Sequence, residues 1–223
     1  EITPLYPALV QLRCSHPALK GLKGIRTQAE LTLMIDGPAV LRETGELLLT
    51  DYGVSGVCVF QLSREAAPAL AQGRSVRLAV NFLPEIPSLL PWLDARIRQL
   101  APASLLALTT GVLPRLLAQT VIREARLSPD MPAEALSESE KQALCGALSA
   151  FPLVVTGTQG FANAQVTRGG VSLADVDPST MASRLFDGLH IIGELLDVDG
   201  PCGGYNLHFA FAGALAAAKA IAG

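Results

Sequence analysis

From Ala8 to Phe82 the apolar residues fall in short runs or alternate with polar ones: ALVQL, AELTLMID, GELLLT, GVCVFQLS and RSVRLAVNFL. Alternation with a period of two is the signature of a half-buried strand. Gly, Pro or charged residues separate the runs, and no helical stretch divides most of them. The pattern predicts a small antiparallel sheet or β-barrel over residues 1–83. LTDYGVSG, Leu49 to Gly56, is the one irregular spot, where Asp51, Tyr52 and Ser55 either line a ligand face or form a tight turn.

The period changes at Pro84. Apolar residues now recur every three or four positions, and prolines at 84, 87, 91, 102 and 114 cut the stretch into short helices. SESEKQALCGAL, Ser137 to Leu148, places Glu140 three residues after Ser137, a capping box opening an amphipathic helix. Residues 84–150 thus read as a helical lobe, with Phe82 and Trp92 assigned to the core. FPLVVTGTQGF, residues 151–161, returns to strand and is expected to pair with strands of the first eighty-odd residues. AQVTRGGVSLADVD adds a strand ending in Gly169 and Gly170. Leu189–Ile192, apolar but for His190, reads as a strand buried on both faces of a parallel sheet. Such a strand needs parallel neighbours and covering helices, and the remaining residues supply one helix and at most one partner strand. Residues 162–223 therefore read as part of a Rossmann-like α/β domain whose other half lies outside the chain. The fold class expected is α+β in several parts.

Composition narrows the picture. Half the residues are apolar, 17% are charged, mean hydropathy is +0.38 and the net charge is −3. Lys and Arg are scattered, so no basic field points to nucleic acid. No apolar run approaches the roughly 18 residues of a membrane span. The chain opens with Glu1 rather than Met and without the pattern of a signal peptide, as expected of a fragment of a cytoplasmic protein. Cys14, Cys58, Cys145 and Cys202 are far apart and form no CxxC, and with only His16, His190 and His208 to assist them they are read as reduced thiols rather than zinc ligands.

The chemistry gathers at the end of the chain, DVDGPCGGYNLHFAFAGALAAAKAIAG, Asp197 to Gly223. Glu194 sits just before it and could accept hydrogen bonds from the hydroxyls of a polyol. Gly200, Gly203 and Gly204 remove side chains that would hold a flat ligand away from the backbone. Tyr205 or Asn206 opens a helix whose free N–H groups favour an electron-rich atom. Acid, glycine turn and helix dipole together suit a cofactor with a polyol arm and a flat ring that gains negative charge on reduction, as flavin does. A tight turn with a closely packed helix and no ligand is the competing explanation. Asp197 and Asp199 read as turn formers, Cys202 lacks a partner for redox relay, and His208 reads as a helix residue.

The wording of three segments is more specific than their composition. GLHIIGELLDVDGPCGGYNLHFAFAGALAA resembles the C-terminal flavin segment of a bacterial family of FAD-dependent oxidoreductases that includes aminoacetone oxidases and the BaiN-type flavoproteins implicated in bile-acid reduction. QVTRGGVSLADVDPSTMASRLFDGL resembles the segment before it, and LLLTDYGVSGVCVFQLSR a hallmark of that family's inserted domain. The resemblance implies a two-part FAD domain interrupted by an insertion, a β-barrel with a helical lobe. Here the insertion would comprise residues 1–83, 84–150 and 151–161, and residues 162–223 would be the returning part of the FAD domain. It implies flavin contacts at Gly169, Gly170 and Val171, at Gly193 and Glu194, at Asp199, Gly200, Gly203 and Gly204, and at Tyr205, Asn206 and Leu207. It also implies hydride transfer through flavin N5, with NAD(P)H a possible co-substrate. Two departures stand out. No GxGxxG occurs, so the pyrophosphate loop and the N-terminal half of the FAD domain belong to the implied partner segment. Asp51 and Val57 stand where the family often has His and Pro. The alternative function is a non-enzymatic binding module built on the barrel.

Overall fold

Residues with alternating polarity form the strands β1 (Tyr6–Ala8), β2 (Leu12–Ser15), β3 (Arg26–Ile35), β4 (Ala39–Leu49) and β5 (Gly53–Ser55). Helix α1 (Val57–Ala71) and strand β6 (Val76–Asn81) follow. Next come the helices α2 (Leu89–Leu100), α3 (Leu105–Leu108), α4 (Arg115–Glu124) and α5 (Glu138–Ser149). Strands β7 (Phe151–Thr158) and β8 (Val166–Arg168) and the terminal helix α6 (Tyr205–Ala222) complete the chain. The structure, a computed structural model, describes all residues from Glu1 to Gly223.

Six strands close into an antiparallel barrel in the order β2-β5-β4-β3-β6-β7. Leu33 of β3 faces Leu41 of β4 on one side and Leu78 of β6 on the other. Strand β7 comes back from the helices to pair with both β6 and β2, setting Phe151 opposite Val80 and Val154 opposite Ser15. The inward positions Ala29, Leu31, Leu33 and Ile35 on β3, and Val76, Leu78 and Val80 on β6, are buried at a spacing of two. Their core runs without a break into the helical lobe through Phe82, Leu93, Leu117, Val121, Leu144 and Leu148, forming one cluster of 38 buried residues. Phe82 meets the ring of Phe151 edge-on at 5.6 Å, and Trp92 packs half-buried on the same cluster. The capping box that starts α5 is present, with Ser137 and Glu140 bonded reciprocally.

GVCVFQLS is not a strand. It is the first half of α1, whose buried residues Val59, Leu62, Ser63, Ala66 and Ala69 follow helical spacing. The β-branched start imitates a strand, but the alanine-rich continuation to Ala71 favours helix, and the helix packs against every one of the strands β1 to β7. Gly56 makes the turn between β5 and α1 possible. Its φ is +119°, and a Cβ there would lie 2.2 Å from the carbonyl oxygen of Glu46.

The C-terminal segment is attached rather than embedded. Strand β8 pairs with β1 as a two-stranded antiparallel sheet, and Ile2 bridges to Val171 beyond it. Leu189–Ile192 is not a buried strand either. Leu189 and Ile192 are exposed, and the stretch is held by local bonds such as Ile191 N–H to the Met181 carbonyl (2.8 Å) and His190 Nδ1 to the Thr180 carbonyl oxygen (2.9 Å). The one parallel bridge of this region lies further along the chain, between Val171 and Leu196. The only strand-like neighbour of Leu189–Ile192 is the segment around Ala182, joined to His190 by a single antiparallel bridge, too little to build a buried sheet. No helix of the structure is long and apolar enough to cross a membrane.

Candidate functional site

The glycine turn before α6 borders a cavity of about 340 Å³, within the range of small-ligand sites. Gly193 and Glu194 form one wall, Val198 and Pro201 to Gly204 another, and Asn206, Leu207 and Ala210 of α6 the floor. Leu9, Gln165 and the first β8 residue, Val166, complete the lining. Six of the twelve residues expected at the site, Gly193, Glu194, Gly203, Gly204, Asn206 and Leu207, are thus brought together around one space.

Local chemistry explains the shape. Gly203 and Gly204 have φ of +122° and +88°, which turn the chain sharply into α6. A Cβ on Gly204 would meet nothing within 4 Å, so the backbone there is bare toward open space. The N-cap position Gly204 offers no side-chain cap, and the N–H groups of Asn206 and Leu207 in the first helical turn have no acceptor in the chain. These are donors aimed outward at a helix N-terminus, where partial positive charge accumulates.

The other expected residues have partners of their own. The Asn206 amide returns to Gly200, with Oδ1 accepting its N–H at 2.7 Å and Nδ2 donating to its carbonyl at 3.0 Å. Glu194 keeps one carboxylate oxygen on the Thr167 N–H, leaving the other free at the cavity wall. Gly169 and Gly170 are required by chain packing. A Cβ on the first would lie 2.1 Å from the Pro4 carbonyl oxygen, and on the second 2.5 Å from that of Leu195. Val171 bridges Ile2 on one side and Leu196 on the other, and neither it nor the two glycines lines the cavity.

Asp199 is the most engaged residue of the group. Its carboxylate, with the side chain only 12% exposed, accepts from Arg64 Nε at 2.6 Å, while Arg64 Nη2 donates to the Asp199 carbonyl at 2.6 Å. Arg168 Nε stands 4.0 Å away and its Nη1 donates to Glu65 (2.8 Å) and to the Arg64 carbonyl (2.6 Å). Burial works against the Arg168 charge, but the Glu65 hydrogen bond and the charges of Glu65 and Asp199 hold its pKa above the ordinary value. Gln61 Oε1 accepts the Cys202 N–H at 3.0 Å. Burial pushes the Cys202 thiol up, and the nearby Arg64 charge only partly offsets this. Cys202 is therefore a neutral thiol at the cavity edge.

Sequence reasoning missed Gln61, Arg64, Gln165 and Arg168, all of which reach the turn from far along the chain. The only available sign was that Gln61 and Arg64 sit three apart, on one face of what proves to be a helix. Asp51, weighed as a ligand-facing residue, instead pairs with Lys23 at 2.7 Å on the exposed surface and does not line the cavity.

The chain is similar to known proteins over its whole length. It is 37% identical over 224 residues, 99% of this chain and 54% of the relative, to a 3-dehydro-bile acid delta(4,6)-reductase of Clostridium scindens. It is 32% identical over 223 residues, 98% of this chain and 52% of the relative, to a ribosomal RNA dihydrouridine synthase of Escherichia coli. A ribosomal RNA dihydrouridine synthase of Haemophilus influenzae matches at 30% identity over 79% of this chain and 42% of its own length. The chain thus spans about half the length of the curated relatives it matches. Residues 6–166, from β1 into β8, match the model of the HI0933-like protein barrel and H2TH domain. With the closed barrel, the helices that follow it and this match in agreement, the chain belongs to the HI0933-like family.

Proposed function

We propose that this chain is the barrel, helical lobe and flavin-contacting segment of an FAD-dependent oxidoreductase. The observation that carries the reading is the bare glycine backbone at Gly204, set against unpaired N–H groups at the start of α6 and facing a cavity large enough for part of a cofactor. The donor set fits flavin. Asn206 and Leu207 N–H groups would hold the pyrimidine edge of the ring, and the free oxygen of Glu194 would take a hydroxyl of the polyol arm. When bound, FAD supplies hydride chemistry at N5, replenished by NAD(P)H or another donor. The protein's own work is to orient the ring, exclude water from one face and stabilise charge at the N1–O2 edge through the α6 terminus.

The names of the relatives favour one substrate class. A 3-dehydro-bile acid delta(4,6)-reductase and a dihydrouridine synthase both saturate carbon–carbon double bonds conjugated to a carbonyl. We infer the same reaction type here, hydride addition to an electron-poor alkene.

The missing part of the FAD domain would cover the C-terminal segment. Eleven of the nineteen exposed large apolar side chains lie between Leu173 and Ile221, among them Leu207 (67% exposed) and Phe211 (69%) on α6. Isolated apolar side chains on a surface are ordinary, but this concentration marks a contact face. Purification of the longer protein that contains this chain tests the reading. It should be yellow and release about one FAD per chain on denaturation; a protein that stays colourless after incubation with FAD contradicts it.

A further inference from the structure

The turn that faces the cavity is not shaped by its own sequence alone. Three anchors fix it, and two of them come from α1, a helix of the barrel. Arg64 grips Asp199 through both its carboxylate and its carbonyl, each at 2.6 Å. Gln61, one helical turn earlier on the same face, takes the N–H of Cys202 at 3.0 Å. Arg168 backs the Arg64 grip from β8, through the Arg64 carbonyl and Glu65. The gripped residues alternate with the cavity wall: Val198 and Pro201 line the cavity on either side of Asp199 and Gly200, and Cys202 lines it itself. Arg64 and Asp199 are only 27% and 12% exposed, so the pair is poorly screened by solvent.

We propose that Gln61 and Arg64 are positioning residues of the cofactor site, through which barrel helix α1 sets the geometry and the electrostatic field of the glycine turn. The inference rests on the flavin reading above. Its physical content has two parts. The two-pronged Arg64 contact holds the backbone in the shape that bares Gly204, so its loss loosens whatever binds there. Arg64 also neutralises the Asp199 carboxylate. Without it, a negative charge faces the turn with only Arg168, 4.0 Å off, to compensate it. Reduction places further negative charge on a flavin, so an uncompensated Asp199 opposes reduction.

The test uses the longer flavin-loaded protein and three variants, Arg64→Met, Arg64→Met with Asp199→Asn, and Gln61→Met. Hydrogen bonds to charged groups are worth enough that Arg64→Met should weaken FAD binding by roughly tenfold or more, and Gln61→Met by about twofold to tenfold. Arg64→Met should also lower the flavin midpoint potential. Adding Asp199→Asn should bring the potential back toward wild type without restoring affinity, a reversal that mere loosening of the fold does not produce. If Arg64→Met does not fold, Gln61→Met still decides, because it removes one neutral acceptor. A flavin-loaded wild type whose folded variants keep affinity and potential within twofold and unshifted overturns this inference alone. A wild type that takes up no flavin overturns the flavin reading and this inference with it.

Discussion

The side-chain amide of Asn206 binds the backbone of Gly200 at both ends, accepting its N–H at 2.7 Å and donating to its carbonyl at 3.0 Å. A residue in the first turn of a helix thereby staples the loop that leads into that helix. With Arg64 on Asp199 and Gln61 on Cys202, the staple anchors the chain on the N-terminal side of Gly203 and Gly204.

Asn206→Asp retains the acceptor and replaces the donor with a carboxylate oxygen set against the Gly200 carbonyl. Leaving a part-buried carbonyl unpaired costs about 1–3 kcal/mol. Amide hydrogen exchange in residues 199–206 should accelerate by roughly tenfold or more in this variant, with the barrel strands unchanged. Unchanged exchange in the turn would show that the staple contributes nothing to its order.

Ser137→Ala removes the hydroxyl that accepts the Glu140 N–H at 3.3 Å and the donor that holds the Glu140 carboxylate. Loss of an N-cap of this kind costs about 1 kcal/mol, visible as a lower melting temperature. The pH dependence has a definite sign. The Ser137 side chain, then its backbone N–H, hold Glu140 below its ordinary value of 4.5. The contribution of this carboxylate is therefore present above that value and lost as pH falls through the lower, folded one. The gap between wild type and Ser137→Ala should be full at pH 7 and shrink below pH ~4. A gap that widens on acidification contradicts the assignment.

All four thiols are pushed up by burial, Cys14 to about 12. The thiolate is the reactive form, so native Cys14 should resist iodoacetamide at pH 8 while alkylating fully in urea. Peptide mass spectrometry reads the difference; equal labelling in both conditions would contradict the half-buried position of Cys14 in β2.

The barrel was legible because a period of two survives wherever one face of a strand is buried, as it is at Leu31, Leu33, Leu78 and Val80. Helix α1 was not, because Val57, Cys58, Val59 and Phe60 carry strand-like residues into a segment that the barrel needs as a helix. Leu189–Ile192 misled for a related reason: three apolar residues around His190 do not distinguish a buried strand from an exposed apolar stretch. At the candidate site, the glycines and the start of α6 could be read directly, since both are local. Arg64 and Gln61 could not, because they lie 135 and 141 residues from the atoms they bind. The arginine that holds Asp199 is visible only once the chain is folded.

In the function proposed above, the turn at Gly203 and Gly204 and the first residues of α6 receive the flavin ring. A structure of the longer protein saturated with FAD tests it most directly. The pyrimidine edge of the ring should lie within ordinary hydrogen-bond distance, about 2.7–3.2 Å, of backbone N–H groups between Gly203 and Leu207. A ring seated elsewhere, with those N–H groups facing solvent or another protein segment, would contradict it.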